Sequence, residues 1–176
     1  VSISMNAQGP PSMRLPTNDT TLVNLRSEAG MMVCANKGGS LSADRFKPGP
    51  WELLGFQAVN SASEFTIRTA HNTYVTVSDG GRLMVTESST HGSVGKRGIF
   101  KARYVASEAQ LLTLQCIGTG KFWTADEDGI LTCSAPTAES NESWFFVQIA
   151  GAASTTDSSK RAKAGRLVSE SSSDSD

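Results

Sequence analysis

No apolar run in this 176-residue chain approaches the ~20 consecutive residues that a membrane-spanning helix needs, so no membrane span is expected. Histidine is nearly missing: the chain holds 2, His71 and His91. A Ser–His–acid site needs a histidine held by a carboxylate, and both histidines fall where turns are expected, His71 as a solvated one. GxSxG, HExxH, the phosphate-binding glycine loop and the dinucleotide fingerprint do not occur. These gaps predict a protein that is not an enzyme and needs no cofactor.

Cysteine is scarce and odd in number, with Cys34, Cys116 and Cys133 and no CxxC pair. That spacing argues against a disulfide scaffold and against zinc ligation. Each cysteine falls in an expected strand, as a buried free thiol does in a reducing compartment, which predicts a cytoplasmic protein. An excess of either charge is missing too: 16 Lys and Arg stand against 17 Asp and Glu. Duplex DNA binding, which wants a broad basic face, is not expected.

A signal-peptide layout of charged and then apolar residues does not open the chain. Val1 rather than Met at the start leaves open a longer parent protein. Residues 1–19 are rich in Ser, Pro, Asn and Gly, and residues 152–176 in Ser, Ala, Lys and Asp. Both stretches read as disordered tails around a folded domain at 20–151, a size usual for one domain of ~100–150 residues.

That central part repeats itself. VNLRSEAGMMVCANKGGSLSADR, FTIRTAHNTYVTVSDGGRLMVTE and LTLQCIGTGKFWTADEDGILTCS start at Val23, Phe65 and Leu112, 42 and 47 residues apart. Each opens on alternating apolar residues (Val23/Leu25, Phe65/Ile67, Leu112/Leu114), the period of a strand with one buried face. A turn, a second apolar strand, a glycine turn (Gly39, Gly81, Gly129) and a leucine two residues later (Leu41, Leu83, Leu131) follow. Each unit closes on a further strand: Trp51–Val59, Ile99–Val105 or Trp144–Ile149. Gly30, Asn72, Gly81 and Gly129 suit turns that need positive φ. Three units are too few for a propeller of about 4–8 blades. The expected fold is all-β, a β-trefoil of three pseudo-threefold four-stranded repeats with disordered N- and C-terminal tails.

The pattern of Val23–Arg26, Gly30–Val33, Ala43–Arg45 and Trp51–Leu54, and its counterpart from Leu112 to Ala150, resembles the repeat of fascin-like β-trefoils. The resemblance covers about residues 20–151. It implies a non-catalytic binding module, with actin filaments the first expected partner. Fascin itself resembles four such units in tandem. This chain has one, so it is not expected to crosslink filaments alone, and a monomer is expected. Other members resemble a single unit attached to glucan-cleaving hydrolases, which implies polysaccharide binding as the alternative. The Q-x-W repeats of ricin-type lectins do not occur.

Candidate binding residues are basic. Lys96, Arg97, Lys101 and Arg103 cluster in the second unit, and Arg45 and Lys47 occupy the equivalent loop of the first. Lys101 and Arg103 alternate with Ala102 and Tyr104, so they share one strand face. Such a patch suits actin or another acidic protein surface; a merely solvated strand face is the alternative. Trp123 aligns with Val33 and Val75, and Trp51 aligns with Trp144, so all three tryptophans are expected in the core. Asp126–Glu127–Asp128–Gly129 reads as a hairpin turn, because it lacks the long calcium loop with its closing Glu.

The tail offers a third reading. A basic stretch, Lys160 to Arg166, precedes a Ser/Asp run. Ser171 and Ser173 each have Asp three residues later, which makes them phosphorylation candidates. Each phosphate would add a charge of about −1.5 to −2, giving a phospho-regulated adaptor. Two glycosylation sequons begin at Asn18 and Asn141; without a signal peptide they read as chance.

Overall fold

A computed structural model describes residues 21–61, 63–86, 94–106, 110–138 and 143–150. The expected tails, His91, Asn18, Asn141, Ser171 and Ser173 lie outside the described residues.

The all-β expectation holds. Twelve strands are formed among the described residues: β1 (Leu22–Ser27), β2 (Met32–Ala35), β3 (Leu41–Arg45), β4 (Leu54–Ala58), β5 (Glu64–Thr69), β6 (Tyr74–Val77), β7 (Leu83–Thr86), β8 (Phe100–Ala106), β9 (Leu111–Cys116), β10 (Phe122–Ala125), β11 (Leu131–Ala135) and β12 (Phe145–Ile149). Short 3-10 turns at Pro50–Glu52 and Lys96–Gly98 precede β4 and β8. No helix among the described residues is long and apolar enough to cross a membrane.

The expected β-trefoil of three four-stranded repeats is corrected by the strand pairing. β1, β4, β5, β8, β9 and β12 form a closed six-stranded antiparallel barrel, each paired with the next and β12 with β1. The long ladders cross the limits of the sequence repeats. β4 pairs with β5 from Leu54↔Thr69 to Ala58↔Phe65, and β1 with β12 from Val23↔Ile149 to Ser27↔Phe145. Within the first repeat β1 meets β2 only at Arg26↔Met32 and β4 only at Leu22↔Gly55 and Val23↔Leu54. Sequence repetition therefore does not delimit four-stranded structural units. Backbone donors and acceptors are satisfied by the barrel, which leaves no open edge.

Three hairpins, β2–β3, β6–β7 and β10–β11, stand off the barrel and are tied to one another in a ring. Val85 N–H donates to the Gly39 carbonyl at 3.0 Å, Cys133 N–H to Gly81 at 2.7 Å and Ala43 N–H to Gly129 at 2.8 Å. Gly81 and Gly129 take φ of +78° and +79°, the left-handed region where a side chain is strained. The Asp126 turn is a hairpin turn as expected: its carboxylate accepts from the N–H groups of Asp128 at 3.0 Å and Ile130 at 2.8 Å.

Barrel and hairpins enclose one core. Trp123 is fully buried, as are Val33 and Val75 at the aligned positions. Its ring meets Phe100 edge-on at 5.3 Å and Phe145 at 6.1 Å, and Phe56 meets Phe65 at 4.9 Å. Full burial of each such side chain is worth ~1.5–3 kcal/mol. The core expectation for the other two tryptophans is corrected, since Trp51 and Trp144 are half-buried. Both precede their strands instead of lying in them. Pro50 sets Trp51 in a 3-10 turn, and Trp144 leaves its indole N–H donating to the Ala138 carbonyl at 3.2 Å.

Candidate functional site: a basic strand and an aromatic cleft

β8 is built by alternation. Phe100 is buried, and Ala102 and Tyr104 pack against the core. Lys101, Arg103 and Val105 are exposed between them. The strand lies between β5 and β9, with Lys101 opposite Glu64 on one side and Gln115 on the other. Arg103 lies opposite buried Thr113, whose hydroxyl donates to the Arg103 carbonyl at 3.4 Å. Arg103, Val105 and Thr113 also line a cleft of about 430 Å³ with Phe122 and Pro136. Basic and apolar groups thus adjoin on the outside of the barrel.

Lys96 and Arg97 enter through the 3-10 turn that leads into β8, and both are exposed. The turn is clamped to the β9–β10 turn: Ile117 N–H donates to the Ile99 carbonyl at 2.9 Å and Gly118 N–H to the Lys96 carbonyl at 3.0 Å. Arg97 forms an ion pair with Asp79 of the β6–β7 turn. Among the described residues neither Lys101 nor Arg103 has an ion-pair partner. The structure therefore joins Lys96, Arg97, Lys101 and Arg103 as one run along the chain, with Arg97 already neutralised.

Arg45 and Lys47 do not join that run. Arg45 ends β3, which pairs with β2 and not with β8, and lies 3.6 Å from its neighbour Asp44. Lys47 is exposed in the following loop. Arg45 thus belongs to the β2–β3 hairpin and Lys47 to the loop that follows it, whereas Lys101 and Arg103 belong to the barrel strand β8.

A second cleft, of about 470 Å³, is lined by Leu22, Trp51, Arg68, His71 and Asn72 among others. Trp51 meets His71 edge-on at 5.4 Å, and the Lys37 ammonium lies 5.5 Å from the Trp51 ring centroid. His71 lies in a turn as expected, but it is not a freely solvated one. His71 is half-buried, and its Nε2 lies 3.0 Å from the Ala35 carbonyl oxygen. Sequence reasoning missed this cleft because its parts come from separate elements: β1, the 3-10 turn at Pro50–Glu52, and the end of β5 with the turn after it. Pro50 before Trp51 was the one local sign that the indole leaves the strand.

All three cysteines are buried free thiols, as expected. Burial first, and then the hydrogen bond and charge of Glu52, push Cys34 up to about 12. A hydrogen bond from the Cys133 thiol brings Cys116 down to about 6, with Thr119 also lowering it and burial opposing. Cys133 is pushed well up, first by that same bond and then by burial. Among the described residues no group of three or more His, Cys, Asp or Glu is arranged to hold a metal ion.

No protein-family model matches the chain, and no curated protein matches it.

Proposed function

We propose that the domain is a non-catalytic binding module that docks an acidic protein surface through the outside of β8, with an actin filament as the first partner to test. The observation that carries this reading is the exposed pair Lys101 and Arg103, on one strand face and without ion-pair partners among the described residues. Arg103 also borders a cleft with an apolar wall. Basic groups beside apolar surface suit a protein partner, because charge steers the encounter and apolar contact retains it. The fascin-like resemblance supplies the choice of actin. Three unpaired buried thiols support a reducing, cytoplasmic setting.

Polysaccharide binding is the second reading. One observation favours it: half-exposed Trp51 lines a cleft beside His71, Arg68 and Asn72, and an aromatic face with convergent polar groups suits a sugar ring. Parallel cosedimentation with filamentous actin and with insoluble β-glucan separates the two. The expected result is actin pelleting that weakens with salt. Salt-insensitive pelleting with glucan alone would transfer the assignment to the Trp51 cleft.

A further inference from the structure

We propose that the Trp51 cleft is a binding site for an acidic saccharide, a sugar unit that carries a carboxylate or a sulfate. The inference rests on the polysaccharide reading of this cleft and names the class of sugar. The cleft's volume of about 470 Å³ falls among small-ligand sites, which run from ~300 to ~1,000 Å³.

Its wall is apolar and cationic. Leu22, Leu53 and Trp51 supply apolar surface, and Arg68 supplies a guanidinium. A Cβ on Gly55 would meet Leu22 Cδ2 at 3.6 Å and Arg68 Nε at 3.8 Å. The Arg68 side chain therefore crosses β4 at Gly55, close to Leu22. A second cation comes from the β2–β3 turn. The Lys37 ammonium lies 5.5 Å from the Trp51 ring centroid and has no ion-pair partner among the described residues. None of the described residues that line the cleft is acidic. Glu52, next to Trp51 in the chain, is buried, and its Oε2 accepts from the Gly49 N–H at 2.7 Å.

These groups are held in place before any ligand arrives. The Ala35 carbonyl accepts from His71 Nε2 at 3.0 Å, which ties the β5–β6 turn to the hairpin that carries Lys37. His71 in turn braces the Trp51 indole edge-on at 5.4 Å. Within the turn, Asn72 N–H donates to the Thr69 carbonyl at 3.1 Å, and the Thr69 and Thr73 hydroxyls are 2.6 Å apart. A site fixed in this way spends little binding energy on ordering itself.

The chemistry follows from the two kinds of wall. Basic groups without a lining carboxylate favour an anion over a neutral or cationic ligand. The indole and the leucines favour a ring with an apolar face, which a free inorganic anion lacks. A sugar ring with one anionic substituent satisfies both.

The test is calorimetric titration of the full chain with a galacturonic acid trisaccharide, a sulfated disaccharide, neutral cellotriose, and the free anions acetate and sulfate. The expected result is salt-sensitive binding of one or both acidic saccharides, about tenfold or more tighter than cellotriose, with no binding of the free anions. Which acidic sugar binds identifies the anionic group. Cellotriose bound as tightly as the acidic sugars would overturn the inference and leave the polysaccharide reading standing. No saccharide binding would overturn both. Free anions bound as tightly as the acidic sugars would remove the saccharide from the assignment. Lys37→Gln, an exposed position, should weaken acidic-saccharide binding about fivefold, and Trp51→Ala about tenfold. Binding unchanged in Lys37→Gln, or abolished in Lys101→Glu/Arg103→Glu, would move the ligand out of this cleft and overturn the inference. Lys37→Gln decides the matter if Trp51→Ala does not fold.

Discussion

The backbone N–H of Ala43 donates to the carbonyl of Gly129 at 2.8 Å, and a Cβ placed on Gly129 would come 2.4 Å from the carbonyl oxygen of Ala43. Two backbones are thus in closest approach where β3 meets the β10–β11 turn, and Gly129 also sits at φ +79°. Gly129→Ala is expected to cost at least ~1–3 kcal/mol for the strained backbone alone, more if the turn must shift. Urea denaturation measures it; an unchanged midpoint would mean that the hairpin ring does not hold the fold.

Trp123→Ala should be the costlier change, at about 3–5 kcal/mol, because the ring is fully buried among Phe100 and Phe145. Its indole N–H is buried with no hydrogen-bond partner among the described residues, and such a group costs stability. Trp123→Phe removes that donor and keeps much of the volume, so it should cost clearly less than the alanine change. Equal losses in thermal unfolding would contradict this account of the core.

Cys34 sets an alkaline limit. Its folded pKa is raised to about 12, whereas the unfolded thiol ionises near 9.0. An acid raised in this way contributes stability that is complete below about pH 9 and is lost as pH climbs toward 12. Cys34→Ala should leave a small cavity but flatten the decline of stability above about pH 9. Denaturant midpoints for both chains across that range measure it; parallel slopes would mean that the thiol does not contribute.

Asp79→Ala should release Arg97. The pair is exposed on the Asp79 side, and surface pairs contribute ~0–1 kcal/mol, so stability should barely move. Binding to an acidic surface should tighten at low salt as one more cation becomes available. Weaker binding would mean that Asp79 itself contacts the partner.

The strands were legible because alternation such as Val23-x-Leu25 and Phe65-x-Ile67 reports one buried face, and the turns because Asn72 and Gly81 stand where positive φ is needed. The architecture was not. Repetition suggested three four-stranded units, but Leu54–Ala58 pairs with β5 of the next repeat, a partnership that local sequence does not encode. Trp51 misled for the opposite reason: its alignment with Trp144 was real, but the equivalent place lies at the barrel's edge and not in the core. Lys101 and Arg103 were legible as one face because their spacing alone defines it. That Arg45 ends a strand paired with β2 and not with β8 is a matter of strand partnership, and no spacing contains that.

The most direct test of β8 as the binding surface is cosedimentation with filamentous actin of the unsubstituted chain and of Lys101→Glu/Arg103→Glu, at low and moderate salt. Both side chains are exposed, so the double change should leave folding intact, within ~0.5 kcal/mol for each surface position. The expected result is salt-sensitive pelleting of the unsubstituted chain and its loss, tenfold or more in affinity (about 1.4 kcal/mol), in the variant. Equal pelleting of a correctly folded variant, at either salt, would contradict the assignment of β8 as the binding surface.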